Sequence, residues 1–119
     1  MLKSVKVERF EENSDLVRVV SRCESAPATN KDRIVPLNYE MLSGTNVPDR
    51  FVHRLGALIT MILKEKSVAY VEVWQTDTGY WIADALTETA RGHRLRRGEG
   101  GTPVEALNNL VVDIQSQRS

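Results

Sequence analysis

The stretch Ser67–Ile114, SVAYVEVWQTDTGYWIADALTETARGHRLRRGEGGTPVEALNNLVVDI, decides how this chain is read. Val68 to Gln75 and Tyr80 to Glu88 are rich in β-branched and aromatic residues, which predicts two strands. Thr76-Asp77-Thr78-Gly79 between them suits a tight four-residue connection. With that connection Trp74 pairs with Trp81, Val73 faces Ile82 and Val71 faces Asp84. Successive residues point to opposite faces. Tyr70, Trp74 and Trp81 are therefore expected on one face, and Val71, Val73 and Ile82 on the other. Arg91–Arg97, RGHRLRR, follows as a third strand, broken by Gly98-Glu99-Gly100-Gly101. Thr102-Pro103-Val104-Glu105 has the form of a capping box, with proline at the first helical position. Leu107, Leu110, Val111 and Ile114 then make the apolar stripe of a helix ending near Gln115.

Upstream, Thr45-Asn46-Val47-Pro48 signals a helix start, with Asn46 as N-cap. Phe51, Leu55, Leu58, Ile59, Ile62 and Leu63 recur at helical spacing, so a helix is predicted over Pro48–Lys66. Gly56 weakens it by about 1 kcal/mol relative to alanine unless close packing needs the missing side chain. Val5 and Val7 alternate with Lys6 and Glu8, and Leu16–Val20 is rich in β-branched residues. A hairpin from Lys3 to Cys23 is expected, turning at residues 11–15. Residues 24–33 form a connection, and Ile34–Leu37 a short edge strand, since Pro36 cannot donate within a ladder.

The expected class is α+β: an N-terminal β-hairpin, then an α-β-β-β-α sandwich with both helices on one face of an antiparallel sheet. Residues 1–45 make the arm and loop and residues 46–119 the sandwich, together one structural unit. The pattern leaves open whether the hairpin joins the main sheet. A hairpin-then-helix order occurs twice, without matching residues that would establish a repeat.

The 119 residues, 41% hydrophobic and 27% charged, suit a single globular domain with its own core. Net charge is zero, so attraction to nucleic acid has to come from local clustering. Cys23 is the one cysteine, which excludes an intramolecular disulfide and points to a reducing, cytoplasmic setting. It reads as a small half-buried side chain. MLKSVKVERF lacks the apolar run of a signal peptide, and Leu55–Leu63 is far short of the ~20 residues of a membrane span. Cys23, His53 and His93 show no metal-ligand spacing. His53 lies four residues after Asp49, as in a surface ion pair. No nucleophile-elbow motif frames the Ser, His and Asp residues. No catalytic group, metal or cofactor is expected.

The basic cluster remains. Arg91, Arg94, Arg96 and Arg97 place four guanidinium groups in seven residues, with His93 among them. Such a cluster can grip phosphates in a salt-dependent way. If Leu95 points to the core, Arg94 and Arg96 share the face of Trp74 and Trp81. Aromatic platforms beside cations are what single-stranded nucleic-acid binders use. The same residues could instead blunt an edge strand or build a dimer interface.

The runs Tyr70-Val71-Glu72-Val73, Gly79-Tyr80-Trp81-Ile82-Ala83-Asp84 and Gly101-Thr102-Pro103-Val104-Glu105-Ala106-Leu107-Asn108-Asn109-Leu110 resemble HicB-like antitoxin domains. These share a G-Y-W hairpin and a G-x-T-x-x-E-A-L-x-N helix start. Small phage-encoded α-β-β-β-α sandwich domains are similar. The order also resembles double-stranded-RNA-binding domains, which carry lysines where this chain has Thr102–Glu105. The expectation is a non-enzymatic binding or regulatory protein, contacting DNA or RNA through Tyr70, Trp74, Trp81, Arg91, His93, Arg94, Arg96 and Arg97. The alternative is a protein-interaction module, phage or antitoxin-like, that dimerises through the same face.

Overall fold

Alternation along the strands puts Val5, Val7, Val17, Val19, Val71 and Val73 on one side of a single antiparallel sheet, each at most 1% exposed. The computed structural model describes residues 2–11, 15–23 and 31–116, residue 31 by its backbone alone. The expected turn at 12–14, most of the connection at 24–30 and the tail at 117–119 lie outside the described residues. The protein is α+β. Its elements are β1 (Leu2–Arg9), β2 (Leu16–Cys23), β3 (Lys31–Pro36), α1 (Asp49–Leu63), β4 (Val68–Gln75), β5 (Trp81–Thr89), β6 (Gly92–Gly100) and α2 (Pro103–Ser116).

The six strands lie in the order β3-β2-β1-β4-β5-β6. β1 pairs with β4, so the N-terminal strands belong to the main sheet. Each half is a three-stranded meander followed by a helix, and the two halves meet along β1 and β4. The likeness reaches individual positions. In both β1 and β4 the first, fourth and sixth residues are buried. Two residues three apart can face one side only if the strand slips once, and both strands do so at the same place. The irregularity lies between Leu2 and Ser4 in β1 and between Val68 and Tyr70 in β4. An extra residue there turns the local side chains without ending the ladder. The halves are thus related in topology and in burial, although their residues differ.

The buried strand residues and the stripes of both helices form one cluster, with Leu55, Ile59, Leu63, Leu107 and Leu110 completely enclosed. Two glycines govern how closely the backbones meet. A Cβ on Gly56 would collide with the backbone of Tyr39, so the turn before α1 rests directly on the helix. A Cβ on Gly98 would collide with the backbone of Ala106 and Leu110, where α2 lies against β6. The glycine run at 98–101 is therefore mostly strand, not the expected break; β6 continues to Gly100.

The helix ends also differ in their chemistry. At α2, Glu105 N donates to Thr102 Oγ1 at 3.1 Å, and Gly101 N donates to Glu105 Oε2 at 3.4 Å. That is the predicted capping box, shifted by one residue on its return bond. At α1 the N-cap is Pro48, not Asn46, and it has no side-chain cap. Asn46 Nδ2 donates instead to Ser21 Oγ on β2 at 3.3 Å. The far end of α1 has no basic residue in its last turn. Arg9 supplies one from β1: its Nη2 donates to Leu63 O at 2.6 Å, Val68 O at 3.2 Å and Glu65 O at 3.3 Å.

The hairpin joining β4 and β5 changes the expected register. Thr76 N donates to Tyr80 O at 2.7 Å, leaving a three-residue loop with Gly79 at φ 87°. Three-residue loops of this kind need a left-handed residue last, and glycine supplies it. Trp74 therefore pairs with Ile82, Val73 with Ala83 and Val71 with Ala85, while Trp81 pairs with Gln75. Shifting a register by one residue exchanges the two faces of the shifted strand. Trp81 is 9% exposed within the core cluster, and Ile82 lies on the other face.

Close approach at Gly98 predicts that Gly98→Ala lowers unfolding stability by about 1–3 kcal/mol through overpacking. Gly101→Ala, whose Cβ would meet nothing closer than an ordinary contact to Glu105, changes it by less than about 1 kcal/mol. Urea denaturation of the two variants checks the contrast.

Candidate functional site

The second face of the sheet carries alternate residues in three rows that run across the strands. One row is Asp32, Val20, Lys6, Glu72, Asp84 and Arg97. The row on one side of it is Ile34, Arg18, Glu8, Tyr70, Leu86 and Leu95. The row on the other side is Arg22, Ser4, Trp74, Ile82 and Glu99. Antiparallel sheets commonly leave one such face to solvent. Here it is half-buried or exposed except at Ile82 and Asp84.

Asp84 organises the centre. It is only 7% exposed, yet its carboxylate has three donors. Arg97 Nε donates to Oδ1 at 2.7 Å and Arg97 Nη2 to Oδ2 at 3.4 Å, while Trp74 Nε1 donates to Oδ2 at 3.2 Å. The hydrogen bond to Asp84, and its negative charge, hold the Arg97 guanidinium above its ordinary pKa. Arg97 is thus committed to fixing the Trp74 ring, and is less available to a ligand. Lys6 Nζ sits 4.4 Å from the centre of the Tyr70 ring and 3.8 Å from Glu8 Oε2. That cation–π geometry holds the second aromatic ring from its other side. Burial first, then the charges of Glu72 and Asp84, push the Tyr70 phenol above its ordinary value of 10.0.

A shallow groove of about 620 Å³ crosses β2, β1 and β4 beside Trp74. Four cations line it: Lys3, Lys6, Arg18 and Arg22, against the carboxylates Glu8, Asp32 and Glu72. Arg18 is bound in a fork to Asp32, with Nε to Oδ1 at 2.8 Å and Nη2 to Oδ2 at 2.5 Å. This bond depresses the Asp32 pKa. Both groups are exposed, so the pair serves orientation more than stability. Lys3 and Arg22 have no such partner among the described residues. The irregularity in β1 brings Lys3 beside Ser4 along the groove, while Leu2 stays buried.

The sequence-predicted residues divide between three places. Tyr70 and Trp74 lie together on the second face, and Arg97 reaches the same face through Asp84. Trp81 is in the core on the opposite side. Leu95 is 49% exposed opposite Leu86 rather than in the core, so Arg94 and Arg96 take the other parity, away from Trp74. Arg94 aligns with Thr87 and Val68, whereas Trp74 aligns with Ile82 and Glu99. Those rows sit toward opposite ends of β5. Arg91 lies in the β5–β6 turn, its amide donating to Thr89 Oγ1 at 3.2 Å, and His93 Nδ1 is 3.9 Å from Glu88 Oε1. The guanidinium groups of Arg91, Arg94 and Arg96 make no hydrogen bond or ion pair among the described residues.

Lys3, Lys6, Arg22 and Asp84 escaped sequence reasoning. Lys6 alternates outward with Val5 and Val7, but plain alternation gives Lys3 the valine parity, and the expected β4–β5 register set Asp84 opposite Val71. The strand irregularity, the shifted register and the β1–β4 pairing that bring these groups beside Trp74 were not visible. Among the described residues no group of three or more His, Cys, Asp or Glu side chains could hold a metal. No described helix is long and apolar enough to cross a membrane. No protein-family model, curated protein or solved structure matches the chain.

Two outcomes follow from the central network. Asp84→Ala removes the acceptor of Trp74 and Arg97 together and lowers stability by about 1–3 kcal/mol, read by thermal or urea unfolding. Tyr70 ionises above free tyrosine, so its neutral form is favoured in the folded state. Its contribution is full below about pH 10 and is lost as pH rises through the raised value. Ultraviolet titration at 295 nm, with Tyr70→Phe identifying the transition, shows Tyr70 ionising above pH 10, and Glu72→Gln moves it back toward the ordinary range.

Proposed function

We propose that the chain is a non-enzymatic nucleic-acid-binding protein that takes single strands across the second face of its sheet. The observation that carries this reading is Trp74, half-exposed and fixed by Asp84, beside the uncommitted cations Lys3 and Arg22. Bases stack on such a ring at about 1–3 kcal/mol each, whatever their identity. Tyr70 lies in the next row but one on β4 and offers a second platform. Lys3 and Arg22 then meet backbone phosphates, and Arg91, in the β5–β6 turn, offers a further cation beyond the end of the sheet. We infer that both helices cover the valine face, which is what leaves the second face open along all six strands. A small regulator of the HicB-like antitoxin kind is a role that suits such a surface.

A partner protein, or a second copy, is the alternative, and one observation favours it. Leu95 is 49% exposed, Ile34 50% and Leu16 40%, large apolar groups on or beside this face. Exposed apolar area of this sort marks protein contacts more than phosphate contacts.

Anisotropy of labelled single-stranded and duplex DNA and RNA, at low and high salt, separates the two. The proposal expects single strands to bind best, with affinity falling as salt rises. Trp74→Ala weakens binding by about 5- to 150-fold. Lys3→Ala with Arg22→Ala reduces the salt slope by about 1.4, or about 0.7 for each single-strand phosphate no longer neutralised. Binding that ignores Trp74→Ala, or no binding at low salt, overturns it. A dimer by light scattering that Leu95→Glu converts to monomer, without nucleic-acid binding, establishes the alternative.

A further inference from the structure

β6 is the last strand of the sheet, and its outer backbone edge is open. Glu88 N donates to Ser67 O at 2.6 Å, away from β6. Glu88 and His93 are therefore a ladder pair that exchanges no hydrogen bonds between β5 and β6. By alternation Leu86–Leu95, Asp84–Arg97 and Ile82–Glu99 are pairs of the same kind. His93, Leu95, Arg97 and Glu99 thus turn their amides and carbonyls outward, past the end of the sheet. Glu99 O is already taken, since Asn109 Nδ2 of α2 donates to it at 2.6 Å. The amides and carbonyls of His93, Leu95 and Arg97 have no partner among the described residues.

Sheets protect such an edge by keeping it short, by proline, by a bulge or by charge. The opposite edge, β3, is six residues long and ends in Pro36. β6 has nine residues, no proline and an unbroken register with β5. Charge is its remaining protection. Arg97 is neutralised by Asp84, and His93 lies beside Glu88, which leaves Arg94 and Arg96 uncompensated. Leu95 stands between them, 49% exposed. A second copy is a poor match for this edge. Paired antiparallel about Leu95, it would set Arg94 against Arg96, and like charges directly opposite destabilise. A strand with carboxylates at those two positions and an apolar residue opposite Leu95 is complementary. Toward the other end of β6, a hollow of about 600 Å³ is lined by Gly98, Asn109 and the exposed Val112. Glu99 and Asp113 line it too, so an added strand carries its acids at the Arg94 end and an uncharged residue here.

We propose that β6 takes an extended acidic segment of a partner protein as a seventh strand, with the pattern acid–apolar–acid. Its backbone bonds to His93, Leu95 and Arg97 supply affinity, and its alternate side chains supply specificity. The segment runs antiparallel, the more stable pairing. Its carboxylates face Arg94 and Arg96, and its apolar residue covers Leu95. This edge is separate from the Trp74 face, so failure here leaves the nucleic-acid reading standing.

The probe is the peptide acetyl-Val-Thr-Glu-Val-Glu-Thr-amide, titrated into the full chain and followed by nitrogen–proton correlation spectra. One control peptide has lysine for both glutamates. A second keeps the charges but is N-methylated at its central valine, which removes the bond to Leu95 O. The expected result is a saturable shift of the His93, Leu95 and Arg97 amides, with Kd of about 1 mM or tighter. Both control peptides bind at least about tenfold more weakly. Arg94→Gln with Arg96→Gln abolishes the preference for the acidic over the lysine peptide. The three titrations of the unaltered chain decide the matter even if that variant loses native dispersion. No saturation with the acidic peptide, or equal binding of either control, overturns the proposal. Oligothymidylate that shifts the same three amides when the peptide does not assigns the edge to nucleic acid, and overturns it as well.

Discussion

The hydrogen bond from Thr76 N to Tyr80 O, which closes a three-residue loop on Gly79, decides which side of the sheet each indole occupies. With that bond in place Trp74 stands across from Ile82 on the accessible side, and Trp81 enters the core. A loop one residue longer would reverse β5 relative to β4. Asp84 would then turn toward the apolar cluster, where an ionised carboxylate is costly, and Ala83 and Ala85 would lose their burial. Core packing and loop geometry therefore favour one register. Every proposal about either face depends on it.

The central pairing of β1 with β4 is the second determinant. It joins two meander-and-helix halves into one sheet, with matching burial and matching strand irregularities at Leu2–Ser4 and Val68–Tyr70. It also brings basic residues of the first half beside aromatic residues of the second, as where Lys6 covers Tyr70. Arg9 strengthens the junction by holding the C-terminal carbonyls of α1 from β1. A guanidinium near the carbonyl end of a helix meets both unpaired acceptors and the negative end of the dipole. The candidate site is thus a product of the join between halves and belongs to neither alone.

Much of the fold was legible in the chain because local chemistry specifies it. Valine alternation marked β1, β2 and β4; the Thr102–Glu105 box marked the start of α2; and the apolar stripe marked α1 to within about a turn. What escaped was set by long-range or subtle geometry. Asp77-Thr78-Gly79 reads equally well as part of a three- or four-residue connection, and that one residue moved Trp81 inside. Gly98 and Gly100 look like a turn by composition, yet they are strand positions kept bare so that α2 can lie against them. Leu95 suggested a core position by its chemistry, but pairing with Leu86 fixes it outside. Of the proposed contact residues, Trp81, Arg94 and Arg96 do not lie on the expected face, whereas Tyr70 and Trp74 share it, and Arg97, expected with Leu95 on the side opposite Trp74, joins them. Their neighbours Lys3 and Arg22 become visible only once β1 is laid beside β4.

The unequal environments of the two indoles are the most direct point of attack on this account. Acrylamide quenching of two single-indole proteins, Trp81→Phe and Trp74→Phe, measures them separately. The account predicts strong quenching when Trp74 alone remains and weak quenching when Trp81 alone remains. Equal quenching of the two, or the reverse order, would contradict the register on which both faces rest.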